Sequence, residues 1–233
     1  MKHKHKADKG SYIPITSKEP SSIVSEQYRK LRTNIELSNF NDEIKVIGLT
    51  STFAKEGKTI TSINLATVYA QSELKTLLID MDLRSPKVHR GFKLVNDIGL
   101  SDIVAKHLNP SEVIHKINDH LSVLTTGSKL PFPAEFLMSQ KLNDLIEKLK
   151  LDYDRIIIDT PPMTAVTDAS IIGSFCSGMI LVIKAKETET SVVKNVIKDL
   201  EDNGVKIIGS VLTRVSKKDH RYMNYYYYSS KDK

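Results

Sequence analysis

The sequence contains no tryptophan, one cysteine and no long apolar run. The single Cys176 excludes an internal disulfide and any cysteine-built metal site, which favours the reducing cytosol. The longest uncharged run, residues 169–183, is interrupted by serine and glycine and is shorter than the ~20 apolar residues that a membrane span requires. No apolar segment follows the basic residues at the N-terminus, so we expect no signal peptide. These absences predict a cytoplasmic protein that does not cross a membrane by itself.

The charge balance is basic, with 34 Lys and Arg against 28 Asp and Glu, a net charge of +6. Much of this excess lies near the two ends of the chain and no RNA- or DNA-binding motif accompanies it, so we expect no nucleic-acid partner. The length suits one folded domain. We predict a flexible basic arm at 1–20, a folded domain at 21–215 and a flexible tyrosine-rich tail at 216–233.

Apolar β-type runs alternate with helical stretches along the folded part. A helix is expected from Ser21 or Ser22 to about Ser38, because either serine can cap its first turn. The predicted strands are 44–50, 75–80, 121–125, 154–159, 178–184 and 206–213, and the further helices are 58–73, 139–150, 167–175 and 190–202. Nearly continuous apolar strands that alternate with helices predict a doubly wound, mainly parallel α/β sheet with helices on both faces. Ligands bind such sheets beyond the carboxyl ends of the strands.

Gly57-Lys58-Thr59 has the chemistry of the end of a phosphate-binding loop. Gly57 lets the backbone approach a phosphate, Lys58 neutralises β- and γ-phosphate oxygens, and the Thr59 hydroxyl can ligate Mg²⁺. The pattern is incomplete because Thr52 stands where the first glycine is usual. A chance surface turn is the alternative, but the position between an apolar strand and a helix favours the phosphate loop. The predicted nucleotide-binding residues are Thr52, Phe53, Ala54, Lys55, Glu56, Gly57, Lys58, Thr59 and Ile60.

Three aspartates follow two further apolar runs. Asp80 and Asp82 are two residues apart after the run 77–79, so both side chains can point into one crevice. Asp159 follows the run 156–158 and is the expected Walker-B-type carboxylate. Mg²⁺ prefers carboxylates, retained waters and substrate phosphates. We therefore predict a metal site from Thr59, Asp80, Asp82 and Asp159, the alternative being that these aspartates only end strands in solvated turns.

Over nearly its whole length the chain resembles the bacterial tyrosine kinases of capsule and exopolysaccharide assembly, P-loop proteins of the deviant Walker, MinD-like type that are unrelated to the eukaryotic kinase fold. The resemblance rests on the loop ending in Gly57-Lys58-Thr59, on the segments 77–84 and 156–162, and on shorter similarities at 99–102 and 133–137. Two departures stand out. Ala54-Lys55 replaces a usual Pro-Gly, and Thr213 replaces an asparagine that is usual near the nucleotide base.

The resemblance implies an ATP- and Mg²⁺-dependent enzyme that phosphorylates its own tail. Lys58 would stabilise the β/γ charge, Thr59 with Asp80 and Asp82 would hold Mg²⁺, and Asp80 would orient the tyrosine hydroxyl. The expected autophosphorylation cluster is Tyr222, Tyr225, Tyr226, Tyr227 and Tyr228. The alternative for these tyrosines is docking on a neighbouring core.

The resemblance also implies partners. Glu26, Arg29 and Arg32, spaced by three, would form a subunit contact in a homo-oligomeric ring in which tails are modified in trans. From the residues alone they are an exposed helix face with a weak Glu–Arg pair. A membrane adaptor with a cytoplasmic tail would activate the kinase and recruit it to the inner face of the cell membrane, where it would act on proteins of polysaccharide synthesis.

Two other functions remain open at this point. A partitioning or division-site ATPase would use the same loop as a molecular switch, but such proteins usually have a second lysine five residues before the loop lysine, where this chain has Phe53. The second alternative is a non-catalytic scaffold whose changed loop no longer supports hydrolysis or phosphoryl transfer.

Overall fold

The computed structural model describes residues 13–38, 44–163 and 168–216. Residues 1–12 and the predicted autophosphorylation cluster lie outside these ranges. In the described part the strands are β1 (Val46–Ser51), β2 (Thr76–Asp80), β3 (His115–Lys116), β4 (Leu121–Leu124), β5 (Arg155–Asp159), β6 (Gly178–Lys184) and β7 (Ile207–Thr213). The helices are α1 (Ile15–Lys18), α2 (Ile23–Leu37), α3 (Lys58–Ala70), α4 (Val88–Gly91), α5 (Leu100–Lys106), α6 (Pro110–Val113), α7 (Pro133–Leu137), α8 (Gln140–Asp152), α9 (Asp168–Gly173) and α10 (Thr190–Asp202).

All seven described strands form one sheet in the order β3-β4-β2-β5-β1-β6-β7. Every neighbouring pair is parallel except β3 with β4, so the sheet is mainly parallel as predicted. Every residue of β1, β2 and β5 is buried. This burial explains why these central strands are nearly continuous apolar runs rather than alternating ones.

Helices cover both faces of the sheet. Because successive strand residues point to opposite faces, Leu78 packs in the cluster that contains α3, whereas Leu77 and Ile79 pack in the cluster that contains α5 and α8. Near one edge, Val196 and Leu200 of α10 pack on Met179 and Leu181 of β6. The doubly wound α/β architecture is therefore confirmed. None of the helices in the described ranges is both long and apolar enough to pass through a bilayer.

The longer elements begin and end close to their predicted bounds. Ser22 caps α2 by accepting a hydrogen bond from the Ser25 N–H at 3.2 Å, as expected for a serine before a helix. The elements that the sequence pattern missed are β3 and the helices α1, α4, α5, α6 and α7, which are too short to show a periodicity.

The last part of the predicted arm, within 1–20, contains a short helix in the structure. Residues 15–18 form α1, and Thr16 is buried against the long helix α3. The Thr16 backbone N–H and hydroxyl donate to the Asn64 Oδ1 at 3.1 and 3.0 Å. This order comes from polar contacts with a distant residue, which no apolar periodicity in the segment encodes.

Candidate nucleotide and phosphoryl-transfer site

The predicted phosphate loop connects the central strand β1 to helix α3. Gly57 is the N-cap residue of α3 and has a φ of 98°, a left-handed conformation that suits glycine. Lys58 is the first residue of the helix, so the loop ends at a helix N-terminus whose free N–H groups favour an anion. Phe53, Ala54, Lys55 and Ile60 are exposed, whereas Thr52, Glu56 and Lys58 are buried.

Asp159, the last residue of β5, collects the functional groups of the loop. Its Oδ1 atom accepts hydrogen bonds from Lys58 Nζ at 2.8 Å and from Ser62 Oγ at 2.9 Å. Its Oδ2 atom accepts from Thr59 Oγ1 at 2.8 Å. The carboxylate is fully enclosed, so the sequence-predicted lysine, hydroxyl and Walker-B-type aspartate do meet. Ser62 is a member that the motif reading missed, although it lies four residues after Lys58 on the same helix face.

Asp80 is the neighbour of Asp159 on the adjacent strand, where the two residues are register partners. Its side chain is completely buried and accepts hydrogen bonds from nearby backbone N–H groups. The Oδ1 atom accepts from the Asp82 N–H at 3.2 Å, and the Oδ2 atom accepts from the N–H groups of Lys87 and Val88, each at 2.9 Å. Burial, and next the charge of Asp159, raise the pKa of Asp80 above its ordinary value. Asp80 thus shapes the turn after β2.

Asp82 lies nearer to the loop lysine. Its Oδ2 atom is 3.9 Å from Lys58 Nζ, and its Oδ1 atom accepts from the Ser85 N–H at 3.0 Å. Burial raises the pKa of Asp82, while the positive charge of Lys58 opposes that rise. Lys58 therefore stands between two carboxylates, at 2.8 Å from Asp159 and 3.9 Å from Asp82.

A second ion pair joins the segments that follow β2 and β5. Arg84 Nε and Nη2 donate to the two carboxylate oxygens of Asp168 at 2.8 and 3.3 Å. Asp168 is buried and begins α9, whereas Arg84 is half-exposed. Arg84 lies in the motif segment 77–84, but no sequence pattern indicates Asp168 as its partner.

The donor set fits Mg²⁺ bound together with a nucleotide. Thr59, Asp82 and Asp159 offer the oxygen atoms that this hard cation prefers. In ranges 13–38, 44–163 and 168–216, no three His, Cys, Asp or Glu side chains are grouped as a ready-made metal site. Mg²⁺ in proteins commonly has one or two carboxylate ligands and completes its shell with waters and substrate phosphates.

The predicted subunit-contact residues lie on α2. Arg29 Nη1 pairs with Glu26 at 2.9 Å, and Arg29 Nη2 donates to the Pro20 carbonyl at 2.6 Å. Arg32 donates to the Val68 carbonyl near the end of α3 at 3.1 Å. All three residues thus have partners within the chain.

A glycine-ended loop at the start of a buried helix, with its lysine and hydroxyl held on the aspartate of a neighbouring parallel strand, defines a P-loop NTPase. The family profile described as "AAA domain" matches residues 44–204. Tyrosine-protein kinase YwqD of Bacillus subtilis is 40% identical over 219 residues, which is 94% of this chain and 92% of that protein.

Two solved structures agree with this similarity. The crystal structure of the chimerical protein CapA2B2 has a TM-score of 0.83 and 33% identity, covering 88% of this chain and 90% of that one. The kinase domain of Escherichia coli tyrosine kinase ETK has a TM-score of 0.81 and 32% identity, covering 92% and 85%. The chain belongs to the bacterial tyrosine-protein kinases. The similarities support the predicted kinase and not the switch ATPase or the scaffold.

Proposed function

We propose that this tyrosine kinase transfers the γ-phosphoryl group of ATP, bound with Mg²⁺, to tyrosines of its own C-terminal cluster on a neighbouring subunit. The observation that carries the proposal is the convergence of Lys58 and Thr59 on Asp159 at the carboxyl edge of the sheet. These are the groups that handle phosphate charge and metal in phosphoryl transfer. The acceptors are the predicted Tyr222, Tyr225, Tyr226, Tyr227 and Tyr228.

Nucleotide binding would change the partners of the loop lysine. Lys58 gives up its hydrogen bond to Asp159 and turns its ammonium group toward the β- and γ-phosphates. Thr59, Asp82 and Asp159 would hold Mg²⁺, which supplies positive charge to the phosphate oxygens. Since tyrosine has a pKa near 10, positioning and charge stabilisation should contribute more than strong base catalysis.

Between the two aspartates of the second motif, we assign the tyrosine hydroxyl to Asp82 and not to Asp80, the residue expected from the sequence. Asp80 and Asp82 are both buried, but both oxygens of Asp80 already accept backbone N–H groups. Asp82 has one oxygen directed at Lys58. A hydroxyl brought to that edge therefore meets Asp82 first.

The resemblance to the capsule and exopolysaccharide kinases supports the rest of the proposal. A ring would assemble through Glu26, Arg29 and Arg32 and present each tail to the next subunit. A membrane adaptor would activate the kinase through its cytoplasmic tail and bring it to the inner face of the cell membrane. Proteins of polysaccharide synthesis would be further substrates.

The test is incubation with labelled ATP and Mg²⁺, followed by phosphotyrosine detection and mapping of the modified residues. A mixing experiment decides between transfer in cis and in trans. The Lys58→Met chain, with its tyrosines intact, is combined with an active chain whose five cluster tyrosines are replaced by phenylalanine. Label on the Lys58→Met chain demonstrates transfer between subunits, and label on neither chain refutes it.

A further inference from the structure

Glu56 is buried in a loop whose three preceding residues are exposed. Its side chain is only 2% exposed. The Oε2 atom accepts a hydrogen bond from the Phe53 N–H at 2.9 Å, which closes the turn of the phosphate loop on itself. The Oε1 atom accepts from the Lys184 N–H at 3.4 Å and from the Thr188 hydroxyl. One carboxylate thus joins the phosphate loop to the segment that follows β6.

The backbone of the same residue is fixed from β7. Thr213, the last residue of that strand, donates from Oγ1 to the Glu56 carbonyl at 2.6 Å. A side chain on Gly57 would place its Cβ 3.2 Å from the Thr213 methyl group, so the end of β7 leaves little room for a side chain at this glycine. Thr213 stands where an asparagine was expected near the base, and here its hydroxyl serves the loop backbone.

A carboxylate beside a polyphosphate site raises the free energy of nucleotide binding unless other groups stabilise its charge. Like charges repel in a poorly hydrated site. The Glu56 carboxylate accepts from three donors: the Phe53 N–H in the loop, the Lys184 N–H at the end of β6, and the Thr188 hydroxyl in the segment after it. The contact therefore fixes the loop shape before a nucleotide arrives. Binding to a preformed loop costs less ordering than binding to a loop that must first fold.

We infer that Glu56 is a positioning residue of the phosphate loop, and that through Thr188 it makes nucleotide affinity depend on the segment after β6. The inference rests on the proposed use of this loop for ATP. It assigns to the Glu56 carboxylate and to Thr188 no contact with the nucleotide and no part in the transfer step; the predicted nucleotide contact of Glu56 belongs to its backbone in the loop.

The experiment measures the Kd for MgADP by calorimetry, and KM for ATP and kcat by phosphotyrosine formation. Thr188→Val keeps the shape of the side chain and removes the hydroxyl, and Glu56→Gln removes one acceptor oxygen. Each variant should weaken MgADP binding and raise KM by roughly tenfold, the effect of one hydrogen bond to a charged group, with kcat at saturating ATP within about twofold of wild type. Thr188→Ser, which retains the hydroxyl, should restore the wild-type Kd.

The double variant Glu56→Gln with Thr188→Val should bind no more weakly than the worse single variant, because both remove the same contact. Ser177→Ala is the matched structural control. The Ser177 hydroxyl accepts from the N–H groups of Lys45 and Val46, each at 3.2 Å, at the amino end of β1. It should lower the melting temperature without changing the Kd.

An unchanged Kd and KM in folded Thr188→Val and Glu56→Gln would overturn the inference, even if both variants melt at lower temperature. Fully additive effects in the double variant would overturn the coupling through Thr188. If wild type bound MgADP but formed no phosphotyrosine, the proposed function would fail, while the comparison of MgADP affinities would still decide this inference.

Discussion

Lys58 Nζ and Asp159 Oδ1 lie 2.8 Å apart, with both side chains almost entirely enclosed. The lysine that we propose contacts phosphate therefore has a protein partner before any nucleotide is bound. Ser62 and Thr59 donate to the same carboxylate, so Asp159 keeps two hydrogen bonds when the lysine leaves. This arrangement limits the free-energy cost of nucleotide binding, because a buried carboxylate without partners would be strongly destabilising.

Replacing Lys58 with methionine should abolish phosphotyrosine formation while the chain stays folded. The free energy of unfolding should fall by on the order of 3 kcal/mol, since a buried charge loses its partner. Phosphotyrosine blots and urea denaturation measure the two effects. Lys150→Met on α8, where the lysine pairs with Glu147 at 2.6 Å, is the control and should keep full activity. Full phosphorylation by a folded Lys58→Met sample, purified from cells without other such kinases, would refute the assignment.

The two aspartates of the second motif should respond differently to replacement by asparagine. Asp80→Asn weakens a buried set of backbone hydrogen bonds and should cost about 1–3 kcal/mol of stability. Asp82→Asn should cost less stability and should reduce the rate of transfer at limiting Mg²⁺. Denaturation curves and Mg²⁺ titrations of the rate separate these effects. Equal loss of rate in both variants at unchanged stability would contradict the assignment of the hydroxyl to Asp82.

Asp102 should make stability depend on acid pH. Its carboxylate is buried and accepts from Lys106 Nζ at 2.7 Å, from Ser128 Oγ at 2.8 Å and from the N–H groups of Gly99 and Ser128, each at 3.0 Å. Burial alone would raise the pKa of Asp102, but the hydrogen bonds from Lys106 and Ser128 hold it well below its usual range.

A depressed folded-state pKa gives stability that is present above the unfolded value of about 3.9 and is lost as the pH falls below it. Asp102→Asn should therefore be less stable than wild type at pH 7, and the difference should shrink below about pH 4. Unfolding measured from pH 7 down to acid checks this. A difference that stays constant over the whole range would show that Asp102 does not act through its charge.

The pair formed by Arg155 and Glu36 should support the fold without affecting the reaction. Arg155 Nε and Nη2 donate to the two oxygens of Glu36 at 3.2 and 2.8 Å, joining the end of α2 to the start of β5. This contact lies at the amino end of the strand, opposite to Asp159. Glu36→Gln should lower stability by about 1 kcal/mol, since it weakens a bidentate charged contact. KM for ATP and kcat should stay at wild-type values, and a clear change in either would show that α2 communicates with the site.

Assembly should depend on α2 if the ring proposal is correct. Arg29→Ala combined with Arg32→Ala should reduce both the particle mass and the autophosphorylation of the tail. Because Arg32 also donates to the Val68 carbonyl, the melting temperature must be recorded beside the mass. Lys30→Ala, which removes a charge of the same helix outside the predicted contact, is the comparison for particle mass and autophosphorylation. A folded double variant of unchanged mass in light scattering would favour a simple exposed helix face.

The sequence predicts the sheet and the meeting of Lys58, Thr59 and Asp159 well, because both follow from local patterns. Central strands such as β5 are apolar throughout, and their carboxyl ends must share one edge. The order of α1 and the pairing of Arg84 with Asp168 could not be predicted in this way. Both depend on polar contacts between residues 48 and 84 positions apart.

The role of Asp80 shows a further limit. Its position at a strand end fits a catalytic carboxylate and a turn-forming carboxylate equally well. The hydrogen bonds from the N–H groups of Lys87 and Val88, seven and eight residues further along the chain, are what lead us to propose the turn-forming role. The burial of Glu56 is similar, because its partners Lys184 and Thr188 lie far along the chain.

The contact of Thr213 with the phosphate loop also sets an upper bound on the distance between each tail tyrosine and the described domain. The described chain ends at Ser216, three residues after that contact. At no more than ~3.6 Å per residue, Tyr222 stays within about 22 Å of Ser216 and Tyr228 within about 43 Å. A neighbouring active site inside the shorter radius is open to every tyrosine of the cluster at a high effective concentration. A site between the two radii is open only to the later tyrosines, so the spacing of subunits would decide which residues carry phosphate.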